Sequence, residues 1–299
     1  MLTGPGCISL PKSKRQCYRW DMRYQPVPDY HMHTPRCNHA IGTVDEYAAA
    51  ALRLGLSEIG MSDHSPMPGG FDKAWRMPRK ELPDYLREVE QVRDQYSGRL
   101  AVRIGLEADF HPGTEPYVAE MIDAYDWDYV IGSVHYIGEW GFDNEENLAA
   151  WDSWDVEDAY CAYYDLVAQS AACGMFDIIG HPDLIKKFRH RPPLDSERVS
   201  QAELVMLDSV RQSGCALEIS SAGLRKPVGE VYPHGRILAL ASELDVPFAF
   251  GSDAHAPGEV GHAMDTCLAM LEACGTGEVV TFAKRKRSTV PIRRQVSAA

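Results

Sequence analysis

Seven times along the chain, a short apolar run ends on a polar residue and is followed by a stretch with apolar positions at helical spacing. The apolar runs fall at about 27–33, 56–61, 101–107, 129–134, 176–179, 216–220 and 246–251. Runs this short, bounded by turn residues, read as strands. The stretches between them predict helices over about 43–54, 82–96, 115–124, 156–173, 196–213, 234–243 and 259–273. Local signals support several of these boundaries. Thr43-Val-Asp-Glu46 has the form of a capping box, and Gly55 supplies a stop. Pro83 is tolerated in a first helical turn, and Asp155 with Asp158 can cap the helix that follows them.

Strands that alternate with helices imply a mostly parallel sheet with helices outside it, and so an α/β barrel-like domain. Two long loops interrupt the rhythm. Residues 65–79 are rich in Pro, Gly, Met and Arg, and residues 136–154 hold Trp140, Phe142, Trp151 and Trp154. A last apolar run, Val279-Val-Thr-Phe282, precedes the basic run Lys284-Arg-Lys-Arg287, which reads as an exposed C-terminal face. Four prolines or glycines stand in the first eleven positions, and no clear period follows until about residue 27. Residues 1–26 therefore read as an N-terminal extension, and 27–299 as a single domain.

Composition narrows the class. Of 299 residues, 45% are apolar and 24% charged, enough for one large core. The formal net charge of −13 argues against a nucleic-acid backbone as the main partner. No run approaches the length of a membrane span and no signal peptide is visible, so a cytoplasmic location is expected. The eight cysteines are scattered and form no CxxC, which predicts reduced thiols, with Cys215 as a core residue. Nothing in this composition excludes an oligomer.

The chemistry lies at the strand ends. His31, His33, His64, His135, His181 and His255 stand at or just past the ends of separate strands, as do Glu107 and Asp253. In parallel α/β folds these ends form one face, and active sites are built there. His31-Met-His33 puts two imidazoles on one side of an extended chain, and Asp253-Ala-His255 offers a second such pair. Imidazoles with carboxylates are the ligand mixture for Zn, Mn or Fe. One HxH is weak evidence, because a hydrogen-bonded loop histidine has the same spelling. Several such groups, each closing its own strand, are much stronger. They exceed the needs of one ion and suit two to three divalent metals. Clustered ions can bridge a hydroxide and hydrolyse a phosphate ester or an amide-like bond.

These residues also sit in longer blocks: Asp-Tyr-His-Met-His-Thr-Pro at 29–35, Gly60 to His64, Gly-Leu-Glu-Ala-Asp-Phe at 105–110 and Ile-Gly-Ser-Val-His at 131–135. Further blocks are Phe-Asp-Ile-Ile-Gly-His-Pro-Asp-Leu-Ile-Lys-Lys-Phe at 176–188 and Gly-Ser-Asp-Ala-His at 251–255. From about Asp29 to the C-terminus the chain resembles the histidinol-phosphatases of the PHP (polymerase and histidinol phosphatase) superfamily. Leu-Glu-Ile-Ser-Ser-Ala-Gly-Leu-Arg-Lys at 217–226 and Tyr-Pro-His at 232–234 point to that branch.

The resemblance implies a distorted (β/α)7 barrel with three metals. It implies His31, His33, Glu107 and Asp253 as ligands of the first, with Glu107 bridging to a second held by His135 and His181. His39, His64 and His255 would hold the third. His39 is a loop residue that periodicity does not single out. The implied reaction is hydrolysis of L-histidinol phosphate by a metal-bridging hydroxide, with Asp253 or His255 shuttling the proton. For the phosphate dianion the first choice is Arg225, then Lys186 and Arg189. Glu139, Trp140 and Asp183 are candidates for the substrate's ammonium and imidazole, while His111 reads as an extra loop histidine. Ser220-Ser221 stands where relatives are expected to carry a more Asn-Thr-like pair. The competing readings are a PHP enzyme for another small phosphate ester or a phosphodiester, an amidohydrolase, and a non-catalytic metal-binding module. The second wants a bridging lysine at a strand end, and none is convincing. The third usually loses ligands, and here the inferred set is complete.

Overall fold

The computed structural model describes residues 22–295. In chain order its helices are α1 (Val44–Leu54), α2 (Leu82–Gln95), α3 (Glu115–Asp123), α4 (Val156–Ala172), α5 (Glu197–Ser213), α6 (Gly235–Glu243) and α7 (Met264–Ala273). Its strands are β1 (Glu58–Met61), β2 (Ala101–Asp109), β3 (Tyr129–Ser133), β4 (Tyr136–Ile137) and β5 (Trp140–Gly141). They continue with β6 (Ile178–Ile179), β7 (Ala216–Ser220), β8 (Phe248–Gly251), β9 (Glu278–Ala283) and β10 (Lys286–Pro291). The capping box forms as the sequence predicts: Thr43 accepts from the Glu46 N–H, Glu46 reaches back to the Thr43 N–H, and Gly55 ends α1 in the left-handed region at φ +80°. No helix of the described residues is long and apolar enough to cross a membrane.

Six strands form a curled, open parallel half-barrel in the order β1-β2-β3-β6-β7-β8, with helices outside. Strands β3, β7 and β8 are buried along their whole length, as expected where both faces of a parallel sheet are covered. The expected seventh strand, near 27–33, is not a regular strand. Pro26 and Pro28 have no N–H to donate, so no ladder starts before Asp29. The segment Asp29–His33 instead spans the gap between β1 and β8. On one side Gly60 and Ser62 donate to the carbonyls of Asp29 and Met32, both at 2.8 Å. On the other, Tyr30 donates to Phe250 at 3.1 Å and Ala254 donates to His31 at 3.0 Å.

The barrel is plugged below by Tyr30, Tyr129, Ile131, Ile178, Val280 and Phe282, a core separate from the one under the helices. Phe282 arrives on the β9–β10 hairpin and meets Tyr30 edge-on at 5.9 Å. The expected exposed face at 284–287 holds for Lys284, Lys286 and Arg287, and only Arg285 is half-buried. Lys284 and Arg285 form the hairpin turn at φ +52° and +61°, and Arg285 Nε pairs with Asp177 at 2.5 Å.

Three other expectations shift. Residues 22–26 belong to the domain: Tyr24 is buried, and its N–H and that of Arg23 donate to Asp265. Residues 1–21 of the expected extension lie outside the described residues. The loop at 136–154 holds the β4–β5 hairpin and a 3-10 helix, Glu145–Ser153. Helix α7 starts at Met264 rather than near 259, because Pro257–Glu259 forms its own 3-10 turn and Gly261 follows at φ +64°.

Tyr129 fills the space that Gly60 and Gly105 leave by having no side chain. A Cβ on Gly105 would lie 2.3 Å from Tyr129 Cζ. Gly105→Ala is therefore expected to destabilise the fold by about 1–3 kcal/mol through overpacking. Urea unfolding measures it, and an unchanged midpoint would mean that the ring moves aside freely.

Candidate metal centre

Above the plug, the strand ends open into a cavity of about 610 Å³. His31 and His33 come from the bridging segment, His64 from the end of β1, and Glu107 from β2. His135 follows β3, His181 follows β6, and Asp253 and His255 follow β8. His39 follows the 3-10 turn Pro35–Cys37 and reaches the same place. All nine expected ligands thus converge.

Glu107 is the hub, buried and surrounded by imidazoles. Its Oε1 lies 3.0 Å from His181 Nε2, 3.3 Å from His31 Nε2 and 3.7 Å from His135 Nε2. Its Oε2 lies 2.7 Å from His64 Nδ1 and 3.7 Å from His33 Nε2. Asp253 Oδ1 is 3.1 Å from His33 Nε2 and 3.4 Å from His255 Nδ1. Asp253 sits in the left-handed region at φ +51°, which aspartate tolerates better than most residues.

The rings are oriented from outside. His39 Nδ1 donates to the Cys37 carbonyl at 2.8 Å and His255 Nδ1 to the Asp253 carbonyl at 3.1 Å, which leaves their Nε2 atoms facing each other at 2.9 Å. His135 Nδ1 is held by Asp109 at 2.5 Å, and Asp109 is gripped by Arg76 through Nε at 2.7 Å and Nη2 at 3.0 Å. Such outer partners fix which nitrogen is offered inward.

Charge follows from this packing. Burial alone would raise the pKa of Glu107, but His64 and His31 hold it well below the usual carboxylate range. Asp253 is likewise held down by His31 and His33 against its burial. Burial lowers His64 and His255 well below the ordinary histidine value, and takes His39 to about 4 with help from His33. These three rings are neutral bases, the form that binds a metal.

The donor set fits divalent metals. His31 Nε2, His33 Nε2, His64 Nδ1 and Glu107 Oε2 are buried without a hydrogen-bond partner, a costly state unless an ion takes their lone pairs. Compact groups within 4.8 Å include His31–His33–Asp253, His31–Glu107–His181 and His33–His64–His255. Cys37 joins His39 and His255 in another such group.

The expected substrate groups fare differently. Glu139 lines the cavity. Lys186 does not: it is fully buried, 2.8 Å from both Asp183 Oδ2 and the Val231 carbonyl, so Lys186 and Asp183 neutralise each other away from the opening. Arg189 is exposed and donates to the Pro227 carbonyl. Arg225 clamps the carbonyls of Ser252 and Asp253, both at 2.9 Å, and so supports the loop that carries Asp253. Trp140 stacks on Trp154 at 5.4 Å. The cations that do line the cavity are Arg76, Lys187 and Lys226, none of which sequence reasoning selected. Asp109 could have been found, being two residues past Glu107 on the same face of β2.

Comparison with known proteins agrees with this geometry. The PHP domain family matches residues 29–222, and the PHP-associated family matches 232–266. The chain is 50% identical over 258 residues to a probable histidinol-phosphatase of Deinococcus radiodurans, across 86% of this chain and 97% of that one. It is 31% identical to the histidinol-phosphatase of Bacillus subtilis, across 82% and 98%. The crystal structure of the putative histidinol phosphatase of Listeria monocytogenes superposes with a TM-score of 0.75 at 28% identity, covering 80% of this chain and 99% of that one. The Lactococcus lactis histidinol phosphate phosphatase, solved with zinc, L-histidinol and phosphate, gives 0.72 at 21% identity over 87% and 98%, a likeness of fold.

Arg76→Leu leaves a buried carboxylate without its guanidinium, which is expected to cost about 3–5 kcal/mol. Adding Asp109→Leu should recover part of that loss. Denaturant unfolding of both variants is the check; equal stability of wild type and Arg76→Leu would show that water already serves Asp109.

Proposed function

This chain belongs to the PHP family, and from that premise we propose that it is a metal-dependent phosphomonoesterase that hydrolyses L-histidinol phosphate to L-histidinol and phosphate. The observation that carries the reading is the ring of imidazoles around Glu107 and Asp253 at the floor of the cavity. The names of the relatives at 50% and 31% identity support the substrate.

We assign two to three ions, zinc, manganese or iron, to this centre. His31, His33, Glu107 and Asp253 would hold the first; Glu107, His135 and His181 would hold the second; and His39, His64 and His255 would hold the third. Ions held there supply Lewis acidity toward the phosphoryl group and offset its dianionic charge. The protein does the rest. Water adds to phosphorus as the bond to the ester oxygen breaks, and one proton must pass from the water to the departing alkoxide. Asp253 and His255, 3.4 Å apart and both lining the cavity, are the proton-handling pair. Among the described cations that line the cavity, Lys226 is the one left to meet the phosphate, Arg76 being held by Asp109 and Lys187 by Asp143 at 3.1 Å. Glu139, Glu145 and Glu146, on the exposed lip, face the cationic end of the amino alcohol.

Steady-state hydrolysis of L-histidinol phosphate, set against other phosphate monoesters and a phosphodiester, tests this, with protein reconstituted separately with Mn²⁺, Zn²⁺ and Fe²⁺. A kcat/KM at least about 100-fold above the other esters, worth about 2.7 kcal/mol of differential transition-state binding, is expected. Chelation should abolish turnover and re-addition restore it. A flat or diester-favouring profile would leave the centre standing and remove the substrate assignment.

A further inference from the structure

Glu218 lies in the middle of β7 among apolar neighbours, fully buried, and no Lys or Arg pairs with it among the described residues. Its carboxylate is spent on two histidines. Oε1 accepts from His31 Nδ1 at 2.6 Å, and Oε2 accepts from the backbone N–H of His181 at 2.6 Å. The sheet makes room for this. A Cβ on Gly251 would lie 2.0 Å from Glu218 Oε1, so the glycine that precedes the Ser-Asp-Ala-His block is where the carboxylate passes.

Each contact fixes a different thing. With its Nδ1 proton engaged, His31 offers Nε2, which faces Glu107 at 3.3 Å and Asp253 at 3.8 Å. His181 holds φ +23°, a backbone value unusual for a side chain of its size, and the bond from its N–H to Glu218 ties down that conformation. Its Nε2 then stands 3.0 Å from the same Glu107 Oε1. One buried carboxylate thus holds the two histidines nearest that oxygen, His31 through its ring and His181 through its backbone.

We infer that Glu218 is a positioning residue shared by two metal positions, the one at His31 and the one at His181, so that a single change at 218 weakens both. The inference rests on the multi-metal reading of the centre. It contrasts with Asp109, which serves His135 alone. The chemistry makes glutamine a sharp probe. A carboxylate accepts at both oxygens, whereas an amide accepts at one end and donates at the other. In Glu218→Gln, either His31 Nδ1–H or the His181 N–H meets an NH₂ group.

The test is a chelator-buffered titration of the apoprotein with Mn²⁺, counting tight sites and their dissociation constants, for wild type, Glu218→Gln and Asp109→Asn. The visible spectrum of Co²⁺-loaded protein and the unfolding midpoint of each apoprotein are recorded beside it. Glu218→Gln is expected to weaken two sites by about 10–100-fold and to alter the cobalt spectrum, with Asp109→Asn weakening one. Apoprotein stability should not account for the difference. Glu218→Asp, with both acceptors on a shorter arm, takes its place if the amide variant does not fold, and should weaken the same two sites. Weakening of a single site, or of none, overturns the inference while leaving the metal reading intact. A wild-type protein that takes up no Mn²⁺, Zn²⁺ or Co²⁺ removes the metal reading itself, and this inference with it.

Discussion

An ionised carboxylate closed off from water has to be matched by positive charge, and Glu107 is where this fold meets that demand. Taking such a group out of water costs several kcal/mol even after relaxation. Five imidazoles within 3.7 Å of its oxygens meet part of that cost. They also compete with one another, because burial and neighbouring charge push His64 down while carboxylates hold His31 well above its ordinary value. Protons alone satisfy such a site poorly. Divalent cations can satisfy every donor at once.

The architecture reads as the means of assembling that cluster. Parallel strands turn all their carboxyl ends one way, so residues far apart in sequence meet at one face. Asp29–His33 contributes two histidines because it lies between β1 and β8 and hydrogen-bonds to both. Asp29 anchors the same junction from below, accepting from the N–H groups of Ser252 at 2.8 Å and Gly261 at 2.9 Å. Burial pushes its carboxyl up to about 6 despite those donors. The hydrophobic plug of Tyr30, Tyr129 and Phe282 keeps the other end shut.

Much of this could be read from the chain, and what could not has physical causes. Strand-and-helix alternation with terminal histidines was enough for the barrel and for eight of the nine clustered residues, because the period of a strand tells which side chains share a face. His39 needed family likeness, since no period governs a turn. Arg76 lies in the 65–79 loop, whose path depends on tertiary packing that sequence does not state. Glu218 hides in an apolar strand where a lone carboxylate has no local signature. Lys186 misled for a related reason: being basic and close to His181 in sequence does not say which way a 3-10 turn aims its side chain, and here that turn delivers it to Asp183.

The same electrostatics gives the cavity a direction. A chain of net charge −13 repels a free phosphate dianion at long range, and the exposed Glu139, Glu145 and Glu146 at the lip add to that repulsion. An ester whose other end carries an ammonium meets the lip differently, because the acids that reject its phosphate attract its amine. On the proposed function the cation would stay at the acidic rim and the dianion would go to the floor, where bound divalent ions would reverse the sign. On that reading, an acidic rim above a metal-bearing floor would suit a zwitterionic monoester.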